Sequence, residues 1–350
     1  MKPHKSRGLL ATIGLMGKPL TFSVGIPTFN QADYLEAALE SLFRQTRPPD
    51  EIVVSDHYST DHTRQVLAKF LEQHPGRIRS LQPPPGSNLT GQYNFTLASQ
   101  TGDWITLLNS DDLAHPNFCE VLLRGARRDP NAALVRAGWD RIDAEGAVID
   151  RNYLLSIPRV EPPPANLLSQ KWGPKVNCVA FALRRTAFEQ SGPILDTIES
   201  LVDWALVLQV CPFGPFVYEH EIIASYRVGH GGDKYRDRLP LWVRDQQRIF
   251  AEVMPLAAQR LHIADTAWIA EASRYNLIRY LAHACDNFAP AERSPIADLF
   301  ATWAASVGAA TTLTAFARGE VIANPRSLAT RIKTKLRPLI HGVLGKLRRD

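Results

Sequence analysis

The alternation of short apolar runs with amphipathic segments over the first hundred residues constrains the fold of this chain more than any other feature. Residues 22–26, 51–55, 78–82 and 104–108 are short and apolar enough for strands, while residues 34–45, 62–73 and 90–100 between them suit helices. In the first helix Leu35, Leu39, Leu42 and Phe43 stand at i, i+4, i+7 and i+8, and Asp33 with Glu36 predicts a capping box at its start. Strand and helix in this order predict an α/β fold: a mainly parallel central sheet flanked by helices, with binding loops at the strand carboxyl ends.

Past residue 112 the rhythm loosens. A helix is expected over 117–128, short strands near Ala133 and Trp139, a turn at Glu145-Gly146 and a break at the prolines 162–164. This stretch reads as the second half of the same domain. From about Leu239 the pattern is mostly helical, with one long segment over 265–285. The expected organisation is a leader over 1–20, an α/β domain over 21–238, a helical region over 239–325 and a tail over 326–350.

With 350 residues, 45% of them hydrophobic and 21% charged, the chain can bury a full core. Its four cysteines, Cys119, Cys178, Cys211 and Cys285, include no C-x-x-C pair. That spacing suggests neither a disulfide framework nor a structural zinc, and points to a reducing compartment. Residues 8–17 form an apolar run behind a basic head, but no A-x-A-like cleavage site follows, so a cytoplasmic location is expected. No apolar stretch reaches the roughly 18 residues of a membrane span. Eight basic residues and one Asp in 326–350 give that tail +7, so the formal charge of +5 leaves −2 for the rest. Leu328, Ile332, Leu336, Ile340 and Leu347 run along the tail at near-helical spacing. Such a basic amphipathic segment suits either an anionic membrane surface or docking on the core, and it lacks the aromatic interleaving of a nucleic-acid binder.

The strongest chemical signal is Leu107-Leu108-Asn109-Ser110-Asp111-Asp112, an apolar strand that ends in adjacent carboxylates. Two acids side by side repel, and a hard divalent cation such as Mn²⁺ or Mg²⁺ would neutralise them. A pair of acids before a helix can equally serve as its cap. The segment alone does not separate these readings.

Other segments add to it in order along the chain. They are Ser23-Val24-Gly25-Ile26-Pro27-Thr28-Phe29-Asn30; Gln45-Thr46; Pro49-Asp50-Glu51-Ile52-Val53-Val54-Ser55-Asp56; Ser59-Thr60-Asp61; and Gly102-Asp103-Trp104-Ile105 leading into the acidic pair. From about Phe22 to Arg227 this set resembles the inverting family 2 glycosyltransferases. The resemblance implies the GT-A fold, a nucleotide-diphosphate-sugar donor, UDP- or dTDP-linked, and a divalent cation. It places Pro27, Thr28, Phe29, Asn30 and Asp56 by the nucleotide base, with Asn94 in the same donor-binding set. Asp111 would sit near the ribose and sugar, and Asp112 would ligate the metal.

Val202-Asp203-Trp204 resembles the family segment that supplies a general base, which makes Asp203 the expected base; an alternative is that Asp203 caps the helix beginning at Trp204. Ser225-Tyr226-Arg227-Val228-Gly229-His230 resembles a segment whose Arg or His approaches the diphosphate, so His230 joins the metal and phosphate candidates. Three departures stand out: His57 and Tyr58 replace the second Asp and the Gly of an Asp-Asp-Gly-Ser loop, Val202 replaces a Glu, and the Gln-x-x-Arg-Trp segment of processive members is not found.

The expected reaction is therefore transfer of one sugar to a hydroxyl of a saccharide or lipid-linked acceptor in surface polysaccharide or glycolipid assembly, with peripheral contact to the inner face of a membrane through the tail. An inactive GT-A-like module that binds nucleotide sugar or glycan is one alternative, motivated by His57, Tyr58 and Val202. A sugar nucleotidyltransferase is another, although residues 27–30 are not the glycine-rich basic loop that would cradle a triphosphate.

Overall fold

The computed structural model describes residues 19–152, 154, 157–175, 178–229 and 234–324. His230, most of the leader and the tail lie outside the described residues. The first half folds in the expected order: β1 (Phe22–Thr28), α1 (Ala32–Phe43), β2 (Glu51–Asp56), α2 (Thr63–Gln73), β3 (Ile78–Leu81), α3 (Leu89–Ala98) and β4 (Trp104–Leu107). β1 is buried at every position, as a strand covered on both faces must be. It pairs in parallel with β2 and β4, and β2 pairs in parallel with β3. α3 lies so close on β1 that a Cβ on Gly25 would stand 2.6 Å from Gln100 Nε2 and 2.7 Å from Thr96 Cγ2.

The predicted capping box does not form. α1 opens at Ala32 with Gln31 as its N-cap residue, and no cap side chain bonds back to the helix. The neighbouring loop does this work instead: the Ala32 N–H donates to Asp61 Oδ2 at 3.1 Å and the Gln31 N–H to Thr63 Oγ1 at 3.0 Å.

The chain continues through β5 (Leu113–Ala114), α4 (Phe118–Arg128), β6 (Leu134–Ile142), β7 (Val148–Asn152), β8 (Val160–Glu161), α5 (Ala165–Leu168), β9 (Phe181–Arg184), α6 (Arg185–Ser191), α7 (Val202–Val210) and β10 (Phe216–Arg227). The sheet order is β3-β2-β1-β4-β9-β6-β10-β5, with β7 on β6 and β8 on β10. β9 enters antiparallel between β4 and β6, and β5, β7 and β8 are antiparallel to their neighbours. The sheet is thus mixed, with its longest ladders parallel: β3-β2-β1-β4 and β6 with β10.

The C-terminal region is helical, with α8 (Lys234–Arg248), a π-helical turn (Ile249–Val253), α9 (Met254–Arg260), α10 (Ala267–Asn287), α11 (Arg293–Ser306) and α12 (Ala310–Ala317). It shares one core with α7 and one face of the sheet, where Phe250, Leu277, Phe300 and Phe316 join Leu134, Phe181, Trp204 and Tyr218. The opposite face is covered by residues of α1, α2 and α4. α8 runs through the boundary expected at 238/239. Among the described residues no helix is long and apolar enough to cross a membrane.

α8 also fixes the entrance to α7. The buried Asp245 carboxylate accepts the N–H groups of Glu199 at 3.1 Å, Ser200 at 2.6 Å and Leu201 at 2.8 Å. Asp245→Ala strands three donors, so urea denaturation is expected to show a loss of about 2–4 kcal/mol.

Candidate active site

The carboxyl ends of β1, β2 and β4 meet the start of α3, which fastens them: Gln92 Nε2 donates to the carbonyls of Thr28 at 3.0 Å and Ser55 at 3.1 Å. The loops after β1 and β2 are zipped together. Asn30, in the left-handed region at φ 50, accepts the Thr60 N–H on Oδ1 at 2.8 Å and donates its own N–H to Ser59 Oγ at 2.9 Å. Asp56 is buried beneath them, taking the Ser59 N–H at 3.1 Å and Arg64 Nε at 3.2 Å.

Tyr58 holds φ 58 where glycine is the easy choice, and its hydroxyl donates to the Pro83 carbonyl at 3.1 Å. Phe29 stands at the rim, 51% exposed, edge-on to His57 at 5.7 Å. Thr28 Oγ1 and His57 Nε2 are buried without a hydrogen-bond partner. Unmet polar atoms in binding loops suit a ligand that supplies their partners.

Below this rim opens a cleft of about 380 Å³ lined by Pro27, Thr28, Phe29, Asp111, Asp203 and Tyr226 among others. The two adjacent acids part company here. Asp112 has no exposure, and both its oxygens are engaged, Oδ1 by the Arg227 N–H at 2.9 Å and Oδ2 by Asn109 Nδ2 at 3.2 Å. Burial, and then the charge of Asp111, push the Asp112 carboxyl well above the usual range, against the pull of the Arg227 N–H and Asn109. Asp111 is part-exposed on the cleft wall. Asp112 stitches the β4 end to β10, and Asp111 is the acid of the pair that is part-exposed on the cleft wall. Neither acts as a cap of α4, which begins at Phe118 behind Asn117.

Arg227 is likewise committed to the fold. Its guanidinium donates to the carbonyls of Asp111, Asp143 and Ala144 at 2.8–2.9 Å and lies 4.9 Å from the Tyr34 ring centre. Among the described residues the exposed cation on the cleft wall is Arg238 of α8.

Asp203 stands in the first turn of α7, with part of its surface open to the cleft. Its Oδ1 accepts the Trp204 N–H at 2.8 Å. Burial raises its pKa to about 6, opposed by that N–H and by Arg136. The helix entrance being held by Asp245, α7 does not depend on Asp203 alone for its start. A carboxylate that titrates near neutrality in a cleft is suited to general-base work.

Residues 23–192 match the family model described as glycosyl transferase family 2. Those residues carry the family 2 glycosyltransferase domain. Over 210 residues, 60% of its length, the chain is 27% identical to a chondroitin synthase of Escherichia coli, and it spans 29% of that relative's length. The fold is shared with TarS 1–349 of S. aureus, solved with UDP-GlcNAc, at TM-score 0.55 and 14% identity over 86% of this chain and 93% of that one. It is also shared with the mannosyltransferase PcManGT from Pyrobaculum calidifontis, solved with GDP-Man and Mn²⁺, at TM-score 0.53 and 19% identity over 86% of each chain. The fold is GT-A-like.

Of the site residues expected from sequence, Pro27, Thr28, Phe29, Asp111 and Asp203 line one cleft of the glycosyltransferase domain. Asp56 and Asp112 are buried beside it, and Asn30, exposed at the rim, ties the loops after β1 and β2 together. Asn94 is turned away: its amide spends both ends on Ile194, donating to the carbonyl at 2.9 Å and accepting the N–H at 2.8 Å. Sequence reasoning missed Tyr93, whose hydroxyl donates to Asn109 Oδ1 at 2.6 Å, and Arg238. Only the helical spacing of Gln92 and Tyr93 behind the Pro-Gly turn could have hinted at the first.

Proposed function

We propose that the protein is an inverting glycosyltransferase that moves a single sugar from a nucleoside-diphosphate donor, UDP- or dTDP-linked, to an acceptor hydroxyl in surface polysaccharide assembly. The observation that carries this reading is that two carboxylates of different character, Asp111 and Asp203, share one cleft with the Pro27–Phe29 loop. The relatives named chondroitin synthase and the neighbours solved with UDP-GlcNAc or GDP-Man support the substrate class.

Phe29 offers its exposed ring to the base, and Thr28 lines the cleft beside it. The nucleotide then runs along the β4 end toward Asp111. Among the described residues no cluster of three His, Cys, Asp or Glu could hold a metal. A cation that borrows phosphate oxygens and water needs only one or two protein carboxylates, so Asp111, with the oxygens of Ser110 and Asn109 beside it, fits Mg²⁺ or Mn²⁺. When bound, such a cation neutralises the departing diphosphate. Arg238 adds a positive charge on the same wall.

On the other side Asp203 accepts the proton of the acceptor hydroxyl as its oxygen attacks the anomeric carbon. The bond from that carbon to the diphosphate oxygen breaks with its electron pair, and the configuration inverts.

A thermal-shift screen of UDP-, dTDP- and GDP-sugars with and without Mn²⁺ tests the donor class, because binding to the folded state raises its stability by mass action. Stabilisation by a UDP- or dTDP-sugar that grows with Mn²⁺ is expected; no response to any of them would sink the reading. Phe29→Ala is expected to weaken UDP binding about 5- to 150-fold, the value of one base stacked on one ring. Calorimetric titration checks this, and the ligand-free melting temperature should hardly move.

A further inference from the structure

The turn that presents Asp111 to the cleft is held at both of its ends, and α3 supplies one of the two holds. Asn109 and Asp112 close the turn, with the Asp112 N–H donating to the Asn109 carbonyl at 3.1 Å. On the β10 side the Arg227 N–H donates to Asp112 Oδ1 and Arg227 Nε to the Asp111 carbonyl, each at 2.9 Å. On the α3 side the Tyr93 hydroxyl donates to Asn109 Oδ1 at 2.6 Å.

One side chain joins the two holds. With Oδ1 of Asn109 turned to Tyr93, the amide nitrogen donates to Asp112 Oδ2 at 3.2 Å. A carboxamide has one accepting and one donating end, and here the phenol occupies the first and the Asp112 carboxyl the second. Burial pushes the Tyr93 phenol well above its ordinary pKa, so it keeps the proton that it donates.

The Tyr93 ring belongs to the core that Leu97, Leu107 and Trp204 also join, and a phenylalanine would fill that space as well. What tyrosine adds is the hydroxyl. The residue is 7% exposed and lines the cleft beside Asn109 and Asp111. Its neighbour on α3, Gln92, holds the carbonyls of Thr28 and Ser55. Adjacent residues of one helix therefore fix the ends of β1 and β2 and the acidic turn after β4 against each other, the kind of support that keeps a binding site in its working geometry.

We propose that Tyr93 is a positioning residue for Asp111: through Asn109 its hydroxyl locks the acidic turn, so that the Asp111 carboxylate stands in place for the cation at the donor diphosphate. The proposal rests on Asp111 being the protein ligand of that cation. Tyr93→Phe keeps the ring in the core and the Asp111 carboxylate on the turn, and removes only the bond that orients Asn109.

Calorimetric titration of the full chain with UDP, first in EDTA and then across a range of Mn²⁺ concentrations, tests this. The wild type is compared with Tyr93→Phe, Asn109→Ala, the double variant and Asp111→Ala. Tyr93→Phe should raise the Mn²⁺ concentration that gives half of the gain in UDP affinity by about tenfold or more, the usual effect of losing a residue that orients a metal ligand. UDP affinity in EDTA should stay that of the wild type, and the ligand-free melting temperature should fall by only about 2–4 °C, the value of one hydrogen bond. Added to Asn109→Ala, the Tyr93→Phe change should have no further effect, because the hydroxyl acts through that amide. An undiminished Mn²⁺ response in Tyr93→Phe, beside a lost one in Asp111→Ala, would overturn the proposal and leave Asp111 as the ligand. Equal losses of UDP affinity with and without Mn²⁺ would overturn it too, since the hydroxyl would then be touching the nucleotide. A full Mn²⁺ response in Asp111→Ala would fault the reading of Asp111 itself, and the proposal with it.

Discussion

Asp111→Ala is expected to give a folded protein that has lost sugar transfer by about 10³-fold, while Asp112→Ala is expected to damage the fold first. Asp111 lines the cleft and is part-exposed, so water can take the place of what its truncation removes. What disappears is the carboxylate that would hold the cation at the diphosphate, an effect of about 4 kcal/mol on the barrier. Asp112 is the reverse case. Its carboxyl receives the Arg227 N–H and the Asn109 amide in full burial, and truncation leaves both unpaired at about 1–3 kcal/mol each. Turnover measured beside urea denaturation for the two variants checks the division. Equal losses of activity at unchanged stability would return the metal to Asp112.

Asp203→Asn is expected to lower turnover by about 10² or more with donor affinity nearly intact, and to stabilise the protein at neutral pH. The sign of the second effect follows from the raised pKa. With a folded pKa of about 6 against an ordinary 3.8, the folded state holds the proton more tightly than the unfolded chain. The stabilising contribution is full below about pH 4 and is lost as pH rises through 6. The difference of about two units amounts to about 3 kcal/mol, which the neutral amide recovers at pH 7 and above. A carboxylate serving only as a helix cap would show the opposite, a loss of stability on substitution. The rate profile should carry an acid limb near pH 6 in the wild type, since a protonated Asp203 cannot accept the acceptor's proton. Chemical denaturation across pH 4–8 and the pH dependence of kcat/KM together check both halves.

The parallel part of the sheet was legible because β1 to β4 are local: each apolar run is short, and its helix follows at once. β9 was not legible as the strand between β4 and β6, since nothing near residue 107 signals a partner that arrives so much later in the chain. The acid pair was legible as a candidate, but not which of its two side chains is buried. Beyond Leu107 the backbone leaves the strand, and which of two neighbouring side chains turns outward depends on where the Arg227 N–H of β10 comes to rest. The same distance effect misled the reading of α1: Asp33 and Glu36 have the spacing of a capping box, yet Asp61 reaches the helix start from the next loop. Nothing in the Tyr226-Arg227 segment signals that Arg227 binds three carbonyls, and no motif marks Arg238, which lines the cleft from α8.

The most direct test of the central claim is release of nucleoside diphosphate from a UDP- or dTDP-sugar, measured with and without Mn²⁺ in the wild type and in Asp111→Ala. The account predicts release that depends on the cation in the wild type and falls to background in the variant. Release that is the same in both proteins, or no release from any nucleotide sugar that the wild type binds, would contradict it.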